Sequence, residues 1–236
     1  MSSLRRKCET CGRTRPDTAA PCPICGAARQ TLADGRVLTT YAPTVILGKN
    51  DPKTGHQGLV VAAPGATSET KLSPSGLFSI SVTGAHGLGE AGEPRVKKIL
   101  RQRLQMDGVD VLFEPGVNSD GEDGILVLDG QRFALQITMA LSRDRADWAA
   151  ASTGTTTTSA NVGDVVEWIH KVIESKVPKT DPAKTILALD ANHLGIMADV
   201  ALVSCYQERF ESPSNRFGFA AVWLVGPTVE RCLRLE

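Results

Sequence analysis

The chain has no apolar run of the roughly 18–20 residues that a membrane span requires. It has no net charge either: the formal value is +0 and the isoelectric point about 6.9, so no global basic field marks it for nucleic acid. No apolar signal core follows the basic start "SSLRRKCETCGRTR". The expectation is therefore a chain that is not secreted and works in the cytoplasm. Cysteine is sparse, with six residues in 236, but four of them fall in the first thirty positions. Such clustering reads as metal ligands plus two free thiols rather than as a disulfide framework. The remaining composition, 42% hydrophobic and 22% charged, is ordinary globular usage. The length permits one large domain or a domain with a small appendage.

The four early cysteines have the spacing Cys8-x2-Cys11-x10-Cys22-x2-Cys25, and each pair is followed by Gly, as "CETCG" and "CPICG". A CxxC turn brings two thiolates to one ion. Two such turns give a closed tetrahedral sulfur set suited to structural Zn²⁺. Four sulfurs leave no open position for a water, so the set argues against a zinc hydrolase. The stretch resembles zinc-ribbon or rubredoxin-type knuckles. That resemblance implies a metal and is equally compatible with a nucleic-acid or a protein partner docking there. Cys205 and Cys232 lie in apolar contexts and read as buried thiols.

Three regions follow from the patterning: a zinc module over 1–30, a β-rich connector over 31–85 and an α/β domain over 86–236. In the second, "RVLTTYA", "GLVVAA" and "LFSISV" read as strands between Gly/Pro/Asn/Asp turns. His56 and His86 sit in polar loops and read as solvated rather than as metal ligands. In the third, "EPRVKKILRQRL" places Val96, Ile99, Leu100 and Leu104 at helical spacing behind Pro94. A strand "VDVLFE", a hairpin over 124–138 and a polar loop "RDRADWAAASTGTTTTSA" come next. Then come a helix "GDVVEWIHKVIESK", a strand "TILALD", a helix across "LGIMADVALVSCY" and two closing strands. Trp148 and Trp168 read as core anchors. Helices interleaved with buried strands predict a mixed sheet flanked by helices.

The hairpin carries the chemistry. Asp129-Gly130 is a favoured two-residue turn, and a constant register from it sets Asp123 opposite Gln136. Thr138 falls on the same face, while Phe133, Leu135, Ile137 and Met139 fill the other. Glu93 precedes Val96 by three and Leu100 by seven. It either joins the core-facing stripe or caps the helix start.

Helix, three strands, helix, strand, with Asp123-x12-Gln136-x-Thr138, resembles the PD-(D/E)XK nuclease-like superfamily and its restriction-endonuclease-like core. The resemblance spans roughly residues 90–190. It implies catalytic positions at Glu93, Asp123, Gln136 and Thr138, with Mg²⁺ at Asp123. Thr138 departs from the pattern, because the superfamily has a Lys there. A hydroxyl supplies no positive charge to an attacked phosphate. The expectation is a zinc protein with a nuclease-like domain that binds DNA or RNA through Arg95, Lys98 and Arg101, with weak or lost cleavage. Any cleavage would be metal-dependent phosphodiester hydrolysis. The competing expectation is a non-catalytic assembly protein that docks a partner through its zinc module.

Overall fold

The computed structural model describes residues 5–7, 14–16, 28–33, 37–41, 44–50, 57–63, 66–75, 77–83, 92–116, 122–140 and 155–236. Cys8, Cys11, Cys22 and Cys25, the four expected zinc ligands, lie outside these residues, as do His56, His86 and Trp148. Among the described residues no helix is long and apolar enough to cross a membrane.

Among the described residues the strands form three sheets. A short antiparallel pair, β1 (Arg5–Lys7) with β2 (Thr14–Pro16), brackets the first CxxC segment. The second sheet is an antiparallel meander of β3 (Ala28–Thr31), β4 (Val37–Tyr41), β5 (Thr44–Asn50), β6 (Gln57–Ala63), β7 (Ala66–Leu72) and β8 (Phe78–Thr83). A seventh strand, β12 (Thr155–Ala160), adds antiparallel to β8. This corrects the polar loop read there. The threonine run has no apolar alternation to announce a strand, but β-branched residues accept an extended backbone readily, and β8 offers an edge.

The third sheet is mixed, in the order β15-β14-β13-β11-β10-β9. Its members are β9 (Val111–Glu114), β10 (Gly124–Leu128), β11 (Gln131–Met139), β13 (Thr185–Asp190), β14 (Ala221–Val225) and β15 (Cys232–Arg234). β9, β10 and β11 run antiparallel, β11, β13 and β14 run parallel, and β15 closes antiparallel. The chain is thus α/β, with mixed and antiparallel sheets flanked by helices.

Helix α1 (Gly92–Met106) begins with Glu93 and Pro94 and has Arg103 in its last turn, each end matched to the helix dipole. It buries Val96, Ile99, Leu100 and Leu104 against Leu126, Leu135, Ile186, Ala188 and Trp223 on one sheet face. Helix α2 (Val162–Glu174) starts with a reciprocal capping box between Asn161 and Asp164. With α3 (Val200–Phe210) it covers the opposite face, where Val165, Val166, Ile169 and Ile173 meet Leu187, Leu189, Val222 and Leu224. Phe78 and Ile80 of β8 share that core. A short α4 (Pro213–Phe217) leads into β14.

The continuous helix expected across 194–206 is broken. A 3-10 segment, Asn192–Met197, precedes α3, which begins after Asp199 caps the Leu202 amide. Gly195 sets the break, with φ 55 and ψ −113. A Cβ there would stand 2.1 Å from Thr70 Oγ1 of β7, so only glycine lets the backbone pass.

Candidate nucleic-acid interface

The hairpin forms as its turn requires. Asp129 and Gly130 take φ 48 and 84, and Leu128↔Gln131 through Gly124↔Leu135 keep the predicted register. The ladder stops one step short of Asp123. The Asp123 amide donates to the Leu135 carbonyl at 2.9 Å, and its carboxylate accepts the Ile137 amide. Asp123 is therefore not set face to face with Gln136. Beyond Gly124 the Ile137 amide lacks a strand carbonyl, and the short acidic side chain takes that place.

Lys97 reaches the same edge from α1. Its ammonium donates to the Asp123 carbonyl at 2.5 Å and lies 3.8 Å from Glu93. Glu93 is 46% exposed at its side chain, so it does not join the buried stripe. The sheet also separates the predicted set. α1 packs on the Leu135 face, whereas Gln136 and Thr138 alternate onto the other, beside Leu187 and Leu189 of β13. The structure brings Glu93, Lys97 and the Asp123 main chain together, and keeps Gln136 and Thr138 apart from them. Gln136 is 8% exposed, and among the described residues its Oε1 has no hydrogen-bond partner. It lines a cleft of about 410 Å³ with Glu122, Lys179, Thr180, Lys184 and Thr185. Among the described residues no three His, Cys, Asp or Glu side chains are grouped to hold a metal. The donors near Asp123 do not make a good Mg²⁺ site. One of its oxygens is committed to an amide, and Gln136 is neutral and projects from one face of the sheet.

The basic residues of α1 divide sharply. Arg95 is 7% exposed and forms a buried ion pair with Asp190 at the end of β13. This removes Arg95 from the predicted nucleic-acid contacts. Position 95 adjoins Val96 and lies one turn before Ile99, so the helix turns it toward the sheet. Arg103 pairs with Asp107 at 2.9 Å. Lys98 and Arg101 remain on the outer side, and among the described residues no carboxylate pairs with either. They line a second depression of about 410 Å³, between α1 and the edge strand β9, together with Lys97, Gln102, Gln105 and Phe113. Arg101 lies over the Phe113 ring, 4.9 Å from its centroid. Sequence reading did not single out Gln102 or Phe113. The signal was present in the spacing 94, 97, 98, 101, 105, which is a single helical stripe.

The carboxyl ends of the parallel strands hold a buried polar group that the sequence did not announce. Asp190 accepts the Asn192 amide at 3.0 Å as well as Arg95. Gly92 opens α1 against this carboxylate, where a Cβ would stand 2.7 Å from Asp190 Oδ2. Burial pushes His193 down to about 4; Asp190 opposes that shift and Arg95 adds to it. Cys232 is buried and its thiol is pushed up by burial, while Cys205 is half-buried. Both are free thiols, and Trp168 packs on the α2 side of the core. No protein-family model, curated protein or solved structure matches this chain.

Proposed function

We propose that the chain is a zinc-stabilised nucleic-acid-binding protein, carried on a PD-(D/E)XK nuclease-like core whose own cleavage is weak or lost. The observation that carries the reading is the pair of cations Lys98 and Arg101, on the outer side of α1 beside Phe113, with which no carboxylate pairs among the described residues. Phosphate oxygens are the natural partners of such a pair, and an aromatic ring beside them suits a base. The element order supports the core: one helix, a three-strand meander and then, after β12 has joined the other sheet, a helix and a strand parallel to the third.

Three features argue for weak or lost cleavage. Position 138 is Thr, so the motif supplies no cation. The Asp123 carboxylate serves a backbone amide. Gln136 is neutral and lies on the sheet face away from α1. Losing one positioned electrostatic group costs roughly 10²–10³ in rate, and a poor metal site adds to that. The four N-terminal cysteines would hold one Zn²⁺ as a closed structural set.

The test is a cleavage assay with Mg²⁺ and with Mn²⁺ on single- and double-stranded DNA and RNA. Wild type and Asp123→Ala should both leave the substrate intact, and Thr138→Lys is the one substitution placed to restore a trace of activity. Robust metal-dependent cleavage by the wild type that vanishes in Asp123→Ala would make the protein a nuclease and end this reading.

A further inference from the structure

The depression between α1 and β9 has more to it than charge. Its helical wall is one stripe, with Lys98 and Arg101 at the rim and Gln102 beneath them. Its other wall is Phe113, on a strand at the edge of its sheet. Arg101 is exposed, yet its guanidinium already lies against the Phe113 ring. A guanidinium is planar, and bases stack on such planes. Gln102 is 9% exposed, and among the described residues its Oε1 has no hydrogen-bond partner. A buried acceptor without a donor is costly, and a side-chain amide matches the donor–acceptor edge of a base.

We infer that this depression is a subsite for an unpaired base and its flanking phosphate, so that the protein prefers single-stranded nucleic acid. The inference rests on the nucleic-acid reading above and specifies its ligand. The base stacks on the Arg101 plane, which Phe113 backs. Its polar edge meets the Gln102 amide, and Lys98 takes the neighbouring phosphate. The volume, about 410 Å³, is within the usual range for a small-molecule pocket. A duplex would have to unstack and unpair a base to enter, which costs a few kcal/mol. A single strand offers the base directly.

The experiment is fluorescence anisotropy at low salt with the full chain and three probes of equal length: oligo(dT), the same strand with abasic sites, and a duplex. Stacking of one base is worth ~1–3 kcal/mol. Oligo(dT) should therefore bind roughly 5- to 150-fold more tightly than the abasic strand, which keeps the phosphates, and more tightly than the duplex. Arg101→Lys keeps the charge and removes the plane, so it should erase most of the oligo(dT) advantage while the abasic strand binds as before. Gln102→Leu should act in the same direction. Should that variant fail to fold, the wild-type ratio and Arg101→Lys decide alone. Equal binding of oligo(dT) and the abasic strand, or tighter binding of the duplex, overturns the inference. The underlying reading survives that result if Lys98→Glu weakens all three probes. No binding of any probe overturns both.

Discussion

Arg95 and Lys98 stand three positions apart on one helix and look alike in sequence, yet their surroundings give them opposite tasks. Arg95 is enclosed with Asp190, and Lys98 is on the outer side. Removing one partner of a buried ion pair leaves the other charge uncompensated, at a cost of about 3–5 kcal/mol. Arg95→Ala should lose that much stability in urea unfolding, while the folded fraction binds nucleic acid as the wild type does. Lys98→Ala should do the reverse, with unchanged stability and weaker binding. His193 gives a second prediction at this scale. Its folded pKa of about 4 lies below the ordinary value of 6.5, because burial disfavours the imidazolium. Between these values the unfolded chain binds more protons than the folded one. Stability is therefore full above pH 6.5 and falls as pH drops toward 4, by about 3 kcal/mol at ~1.4 kcal/mol per unit. Denaturation midpoints from pH 7.5 to 4.5 should show this slope in the wild type and a flatter one in His193→Gln. Burial of this kind was not legible in the sequence. "LDANH" reads as a strand end and a turn, and it is enclosed by distant elements: β6, β7 and β8 of the other sheet pack on Asn192–Met197, and Arg95 of α1 pairs with Asp190.

At the scale of elements, local signals were sufficient where each segment carried its own period. α1, α2, the 124–139 hairpin and the strands "TILALD" and "AVWLV" were all legible from alternation, caps or apolar runs. Several were not, among them β5, β7 and α4, and two show why. β12 has no apolar alternation and exists because β8 offers an edge. The break before α3 depends on Thr70, more than a hundred residues away in sequence, pressing on Gly195. Long-range contacts of this sort leave no local trace. They can be tested by substitution. Gly195→Ala would combine a clash with Thr70 Oγ1 and a positive φ, and should cost about 2–4 kcal/mol. The double variant with Thr70→Ala should be less destabilised than the sum of the two single changes, as measured by a double-mutant cycle of unfolding free energies. An additive result would mean that the two residues do not press on each other.

For the whole molecule, the order of the mixed sheet's strands along the chain was legible but the grouping of the site was not. Register counting from Asp129-Gly130 was right as far as Gly124↔Leu135, and failed at Asp123, where a side chain replaced a strand carbonyl. The same counting could not show that α1 would lie across the sheet from Gln136 and Thr138. On the proposed reading the α1–β9 side meets the partner, and among the described residues no metal centre is assembled. The proposed zinc site at the four N-terminal cysteines makes a separate prediction. Purified protein should contain one zinc per chain by elemental analysis, and Cys22→Ser with Cys25→Ser should lose it together with the ~10 kcal/mol or more that such coordination contributes to local folding. The central claim is nucleic-acid binding through α1. Its most direct test is affinity measured over a salt series, for the wild type and for Lys98→Glu with Arg101→Glu. On duplex DNA, log K should fall with log salt by roughly 0.9 per phosphate neutralised, and on a single strand by roughly 0.7. The double variant should lose both affinity and slope. Wild-type binding that is absent at low salt, or that the double variant leaves unchanged, would contradict the account.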